Sequence, residues 1–329
     1  YHGWRYRLDG KLLGVPHMVG YEGTEFDKED PQYSMQKLRS ESFRGFVFAT
    51  MSRDAPDLRT WMGGAADVMD NLCDRSPEGE VEAAGGVLRY EHECNWKMFI
   101  ENLNDTMHPM VVHRSVVDSA LDYIKTLPED SPQRDEAEII PPFGASYEAF
   151  EDAGITGFKY GHHYDGGKTS IHAKYTLDPA YEKAMLDAYG EKRMHDILSF
   201  NTHNTLYYPS LTIKSAIQNI RVVRPVAYNK TIIETWSFRL KGAPDSMLKR
   251  TLLYSRLINS NGSMVGPDDL TAYFRMQEGL ESQASEWIEM HRNFGRDEVL
   301  DDRTFGLGTS DLDMRTQYAA WREYMTEAV

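Results

Sequence analysis

Residues 211–240 read LTIKSAIQNIRVVRPVAYNKTIIETWSFRL. Residues 211–226 and 231–240 are rich in β-branched and aromatic residues, and Tyr228, Asn229 and Lys230 separate them as a turn, so the stretch predicts an antiparallel hairpin. Helical patterns follow it, over residues 244–258 and from Pro267 to about His291. Strand-rich and helix-rich stretches are therefore segregated along the chain instead of alternating, which favours an α+β fold with an antiparallel sheet over a doubly wound one.

Upstream of the hairpin, Asp178 to about Phe200 predicts a helix. The rest of residues 120–200 mixes proline, glycine and charge (LPEDSPQRDEAE, PPFGAS, HHYDGGK) and reads as excursions over a core. Residues 96–108 predict a helix with Ile100, Leu103 and Met107 on one face, preceded by a strand over residues 85–92. Leu58, Trp61, Met62, Val68, Met69 and Leu72 also fall at helical intervals. Before them the chain changes character. Residues 4–8 and 11–15 flank Asp9 and Gly10, a favoured two-residue turn, and residues 43–49 (FRGFVFA) form a third β segment after an acidic loop. The boundary falls near residues 50–57, giving a small all-β part over 1–52 and a larger domain over 53–329.

A chain of 329 residues that is 41% hydrophobic and 12% aromatic can bury a sizeable core. Its formal charge of −15, from 36 Lys and Arg against 51 Asp and Glu, and the absence of a basic cluster argue against a nucleic-acid binder or a ligand of anionic membranes. Cys73 and Cys94 are the only 2 cysteines. They are too few for a disulfide framework and lack CxxC spacing, which fits a reducing cytoplasm. No apolar run approaches the roughly 20 residues that span a bilayer.

The chemistry concentrates in ECNWKMFIENLNDTMHPMVVHRS, residues 93–115. Glu101, Asp105 and His108 are spaced by four and three, so a helix would project all of them from one face, where a core helix should be apolar. His113 follows His108 by five residues, a spacing that separates two side chains by about 140° on an ideal helix. Pro109 removes the difficulty, because the residue before a proline is pushed out of the helical region and the chain must bend just after His108. Two histidines brought together with one carboxylate leave coordination positions open, as in non-haem Fe(II) oxygenases. Against this stands the ordinary fate of a histidine, a hydrogen bond in the core. Asp105 beside His108 favours the ligand reading, since metal-bound imidazoles usually donate their other N–H to a carboxylate.

GPDDLTAYFRMQEGL, residues 266–280, offers the third ligand. Pro267 suits the first helical position, and acidic residues in the first turn suit the helix dipole, so Asp268 and Asp269 could serve only to start the helix. The faces separate them. Asp269 aligns with Tyr273, Met276 and Leu280 on an apolar stripe, and Asp268 with Ala272, Arg275 and Gly279. Asp269 is thus expected to point inward, where a carboxylate is costly without a cation, and Asp268 to remain a cap.

YHGW followed by a DG hairpin, then NWKxxxENxxDxxHxxxxH, then a DD pair ahead of a helix ending in Gln-x-Gly-Leu, resembles the α subunit of Rieske non-haem iron aromatic-ring-hydroxylating oxygenases. The likeness runs from His2 to about Trp287. It implies a catalytic domain of the helix-grip, START-like kind, with an antiparallel sheet flanked by helices, behind the C-terminal part of a small all-β Rieske domain. It implies that His108, His113 and Asp269 hold mononuclear Fe(II). By the same likeness Asp105 hydrogen-bonds a ligating histidine and bridges to the Rieske histidine of a neighbouring subunit, and Asn102 lies near the iron. His2 matches the last ligand of the Rieske Cys-x-His…Cys-x-x-His set, although by itself it reads as an exposed terminal histidine. A [2Fe–2S] Rieske centre takes two Cys and two His, and neither Cys73 nor Cys94 is spaced to substitute. The expectation is a fragment cut inside the Rieske domain, with the cluster in the full-length protein only.

The resemblance further implies a homotrimer or an α3β3 assembly, a ferredoxin or flavin reductase delivering NAD(P)H electrons, and O2 attack on an aromatic ring, first of all cis-dihydroxylation. Pocket candidates are Asn102, Leu103, Met107, Val111 and the run 258–265, ending at Val265. Lys214 and Arg221 could meet a benzoate-like carboxylate, but charged strand residues more often face solvent. Mono-hydroxylation or O- or N-demethylation would use the same constellation. Two other classes also fit the sequence: a zinc hydrolase on the same three ligands, and a non-catalytic carrier of hydrophobic ligands.

Overall fold

The computed structural model describes residues 1–167, 169–174 and 178–326. The chain forms two compact units, Tyr1–Thr60 and Trp61–Val329.

In the first unit β1 (Arg5–Tyr6) and β2 (Leu12–Gly14) pair antiparallel. Their connection is longer than the expected two-residue turn. Arg7 N donates to Lys11 O and Gly10 N to Arg7 O, both at 2.9 Å, so the loop comprises Leu8, Asp9 and Gly10, and Gly10 supplies the positive φ of 82° that closes it. The 43–49 segment, expected as one strand, is the turn and second arm of another hairpin, β3 (Arg39–Phe43) and β4 (Phe46–Thr50). Arg44 and Gly45 take φ of 51° and 85°, the paired positive values that a primed hairpin turn requires.

The second unit is built on β5 (Val81–His92), β6 (Ile155–Phe158), β7 (His163–Gly167), β8 (Asn201–Tyr207), β9 (Leu211–Lys214), β10 (Asn219–Ala227), β11 (Lys230–Leu240), β12 (Glu298–Leu300) and β13 (Arg303–Gly306). They form a 9-stranded sheet of order β12-β13-β6-β7-β8-β9-β10-β11-β5, antiparallel throughout. The expected α+β class with an antiparallel sheet is the architecture found. The 211–226 run is two strands and not one. It folds back through Ser215–Ile217 and Gln218, whose φ is 53°, and β9 then pairs with β10, Lys214 opposite Asn219 and Thr212 opposite Arg221. The β10–β11 hairpin closes at Tyr228 and Asn229, as the sequence predicts.

The helices are α1 (Leu58–Met62), α2 (Ala66–Asp74), α3 (Trp96–Asn104), α4 (Pro109–Val112), α5 (Arg114–Thr126), α6 (Pro132–Ala137), α7 (Tyr147–Ala153), α8 (Pro179–Ser199), α9 (Asp245–Tyr254), α10 (Gly266–Glu281) and α11 (Leu312–Thr326). Residues 120–177, expected to be excursions, thus hold helices and two strands inside the sheet. The reason is burial: β6 is buried along its whole length and β7 nearly so, which removes the period-2 alternation that marks a half-exposed strand. The α8 backbone leaves helical geometry at Gly190 (φ 71°, ψ 164°), so the expected continuous helix is two segments. Helix α10 stops ten residues short of His291, and Gln283 turns to φ 53° just beyond it. The helix expected over 244–258 continues past Tyr254 as a π-helical turn, Ser255–Asn259.

Helix α3 packs on the sheet through Phe99, Ile100 and Leu103, which cluster with Leu206, Val223 and Ile233 of the strands and Tyr273 of α10. Each such buried side chain contributes about 1.5–3 kcal/mol of transfer free energy. A second cluster joins Val117 and Ala120 of α5 to Phe143, Ile258 and Val265. Between the two clusters lies the polar site.

Candidate metal centre

Helix α3 begins at Asn95, whose side chain accepts from Lys97 N at 3.1 Å, and it ends at Asn104. The helix expected to reach His108 is therefore four residues too long. Asp105 is extended (φ −69°, ψ 117°), and its carboxylate accepts from Met107 N at 3.2 Å and from His108 N at 2.8 Å. A short acidic side chain that serves nearby N–H groups competes with the helix in this way. His108 itself is helical (φ −81°, ψ −31°) and leads into α4, with Pro109 at its first position. The bend thus precedes His108 and comes from Asp105, where the proline had been expected to place it afterwards.

The consequence is convergence. The rings of His108 and His113 stand 5.5 Å apart, centre to centre. Nε2 of His108 lies 3.8 Å and Nε2 of His113 3.4 Å from Oδ1 of Asp269. One donor atom from each of His108, His113 and Asp269 falls within 4.8 Å of the others, the donor set of a 2-His-1-carboxylate centre. The other ring nitrogens are held from behind, Nδ1 of His108 by Asp105 at 2.7 Å and Nδ1 of His113 by Asp268 at 3.3 Å. Carboxylates in that position fix the tautomer that leaves Nε2 free to ligate. Asn102 joins the group, its Nδ2 3.1 Å from His108 Nε2 and 3.2 Å from Asp269 Oδ1.

The electrostatics agree with this arrangement. Burial works against the charged form of His113, but the hydrogen bonds and charges of Asp269 and then Asp268 outweigh it and hold its pKa above the ordinary value. Burial likewise pushes the Asp105 carboxyl up, and the bonds from His108 and Met107 more than reverse it, so Asp105 sits below the usual carboxylate range.

A cavity opens on the three donors. Leu103 and Val265 line it, as do Ile258 and Asn259 of the π-helical turn. Met107 is not among the lining residues. Val111 is 65% exposed, because buried Pro109 fixes the inward side of the short α4. The apolar stripe proposed for α10 holds only at Tyr273, since Met276 and Leu280 are exposed. Lys214 and Arg221, on which the solvated-face expectation was placed, are only 4% and 7% exposed and line the same cavity. Strand alternation explains Arg221: it shares the α3 side with Val223, while Arg224 is exposed and pairs with Glu234. His2 is exposed in the first unit, its ring 4.3 Å from that of Tyr1, and Cys73 and Cys94 are buried in the second unit.

The sequence profile of the ring hydroxylating alpha subunit (catalytic domain) family matches residues 80–327. The chain belongs to this family. It is 30% identical over 306 residues to the anthranilate 1,2-dioxygenase large subunit of Acinetobacter baylyi, covering 89% of this chain and 62% of that protein. It is 27% identical over 341 residues to the toluate 1,2-dioxygenase subunit alpha of Pseudomonas putida, covering 100% of this chain and 72% of the relative. Among solved structures, naphthalene 1,2-dioxygenase with indole bound in the active site superposes with a TM-score of 0.74 at 19% identity, over 98% of this chain and 71% of that one. The chain thus spans roughly two thirds of the length of the relatives it matches. No described helix is long and apolar enough to cross a membrane.

Within this family member, sequence reasoning missed two things about the site. From the sequence Asp268 reads as a cap, yet α10 has no side-chain cap and Asp268 reaches His113. The signal was present in the DD pair itself: on adjacent helical positions one carboxylate can face a ring from the front and the other from behind. The second omission is the aromatic and polar wall of Tyr90, His92, Phe99, Asn204 and Tyr273, which the chain brings together only through sheet pairing and the packing of α3 and α10 on the sheet.

Proposed function

We propose that His108, His113 and Asp269 hold a mononuclear Fe(II) and that the whole protein is the oxygenase component of an aromatic-ring-hydroxylating dioxygenase, adding both atoms of O2 to a ring in cis. The observation that carries this reading is the convergence of Nε2, Nε2 and Oδ1 while both Nδ1 atoms are tied to carboxylates. Fe(II) bound there would supply O2 binding and activation beside the substrate. The chain's own contribution is positioning. Asp105 and Asp268 hold the two imidazoles, Asn102 lies against His108 and Asp269, and Phe99, Leu103 and Val265 offer an apolar wall for a ring.

For the whole protein the same reading includes a Rieske [2Fe–2S] cluster, a ferredoxin or flavin reductase carrying NAD(P)H electrons, and a homotrimer or α3β3 assembly in the cytoplasm. The residues of this chain do not complete the Cys2His2 set that such a cluster takes: the first unit contributes His2 and His17 and no cysteine. Asp105, behind His108 and away from its Nε2, is the side chain proposed to meet the neighbouring subunit.

The test is iron content after anaerobic reconstitution, followed by turnover of the full-length oxygenase with its reductase under 18O2. The expected result is one iron per chain, lost in His108→Ala, His113→Ala and Asp269→Ala, and a product heavier by two labelled oxygen atoms. A single labelled atom would assign a monooxygenase or demethylase. Activity with zinc in the absence of O2 would overturn the oxygenase reading.

A further inference from the structure

Two cations stand in the wall of the cavity. Lys214 Nζ donates to Tyr254 Oη at 3.0 Å. Arg221 Nη2 donates to Asn204 Oδ1 at 2.9 Å, and its guanidinium lies 5.2 Å from the centre of the Phe99 ring. Among the described residues no carboxylate stands at ion-pair distance from either, in contrast to Arg89 and Arg224, which share Glu234. A buried charge without a counter-ion is strongly disfavoured, and the nearby acids do not supply one. Burial pushes the Asp165 carboxyl well above its ordinary range, which disfavours its charged form. Asp269 faces the two histidines and would be taken by the metal. Burial, then Arg221, pushes the Lys214 ammonium well below its ordinary pKa, a further sign of missing negative charge.

The two cations are also placed to act together. Lys214 pairs with Asn219, two residues from Arg221 on the same face, and diagonal neighbours on adjacent strands stand roughly 7–8 Å apart, a separation one carboxylate can bridge. We propose that Lys214 and Arg221 are the specificity-determining pair of this cavity and bind the carboxylate of an aromatic acid, with the ring against Phe99, Leu103 and Val265. The assignment rests on the oxygenase reading only for what then happens to the ring.

The test is calorimetric titration of the full-length protein, without turnover, with benzoate and with its neutral isostere benzamide. Benzoate should bind at least about tenfold tighter than benzamide. Lys214→Met and Arg221→Met should each weaken benzoate about tenfold or more and leave benzamide within about threefold, with partial recovery of benzoate in Lys214→Arg and Arg221→Lys. Equal affinity for the two ligands, or unchanged benzoate affinity in both Met variants, overturns the assignment. So does parallel loss of both ligands with no recovery in the conservative variants, which marks a purely structural role. The titration requires neither iron nor O2, so its failure leaves the oxygenase reading intact, and failure of oxygen incorporation leaves the carboxylate pair intact.

Discussion

Asp268 Oδ2 lies 3.3 Å from Nδ1 of His113, while the next residue, Asp269, places Oδ1 3.4 Å from Nε2 of the same ring. Consecutive residues in the first turn of α10 therefore grip one imidazole at both nitrogens. Partners of this kind behind a ligating histidine typically change metal affinity by 10–100-fold. Asp268→Ala should weaken Fe(II) binding by about that factor with the three ligands intact, and Asp268→Asn, which keeps an acceptor oxygen, by less. Competition with a chelator of known affinity measures it, and an unchanged dissociation constant in Asp268→Ala would assign the residue to the helix dipole alone.

Asp105 has a different role, because it accepts from two backbone N–H groups as well as from His108 Nδ1. Removing the acceptor leaves donors unpaired in a partly buried bend, at about 1–3 kcal/mol. Asp105→Ala should therefore lower stability to urea by that order and also release iron. Asp105→Asn should recover most of the stability. Equal stability of the Ala variant would mean that the bend after α3 is held by Pro109, as the sequence alone suggests.

The contrast between those two outcomes shows where the sequence is legible. The β10–β11 hairpin and the α9 and α10 helices are local patterns that can be read directly, whereas Asp269 stands far along the chain from His108 and His113 and is singled out by the family resemblance and by a stripe that holds only at Tyr273. What fails is anything whose signal is set by distant partners. β6 and β7 carry no alternation because both of their faces are buried by other parts of the chain. Lys214 and Arg221 look solvated because the chain does not say which side of the sheet α3 will cover. The end of α3 depends on one carboxylate choosing backbone over solvent, a competition that helical periodicity does not register.

Gly161 marks another non-local constraint. Its φ is 83°, and a Cβ there would stand 2.7 Å from Ala320 Cβ and 2.9 Å from Tyr208 Cγ. Gly161→Ala combines a strained backbone with overpacking and should cost about 1–3 kcal/mol. A thermal melt shows it as a clear drop in Tm; an unshifted melt would mean that α11 moves aside freely.

Beside that glycine, His162 and His163 are locked in neutral forms. His162 Nδ1 accepts from Tyr208 N at 3.0 Å and its Nε2 donates to Trp61 O at 2.9 Å. His163 Nε2 accepts from Asn104 Nδ2 at 2.7 Å and its Nδ1 donates to Gly161 O at 3.1 Å. Burial pushes the two down to about 3 and about 4, respectively. Near pH 6.5 and below, the unfolded chain takes up protons that these rings refuse in the fold, so their contribution to stability falls as pH drops from about 6.5 towards 4 and 3. The slope is up to about 1.4 kcal/mol per pH unit for each ring. Asp165 and Asp313, both raised well above the carboxylate range by burial, act with the opposite sign, so the histidine share is isolated by difference. Urea unfolding of the unaltered chain and of His162→Gln between pH 7.5 and 5.5 should show a shallower loss of stability towards acid in the variant, by up to about that slope, and parallel pH curves would mean that His162 is protonated in the fold.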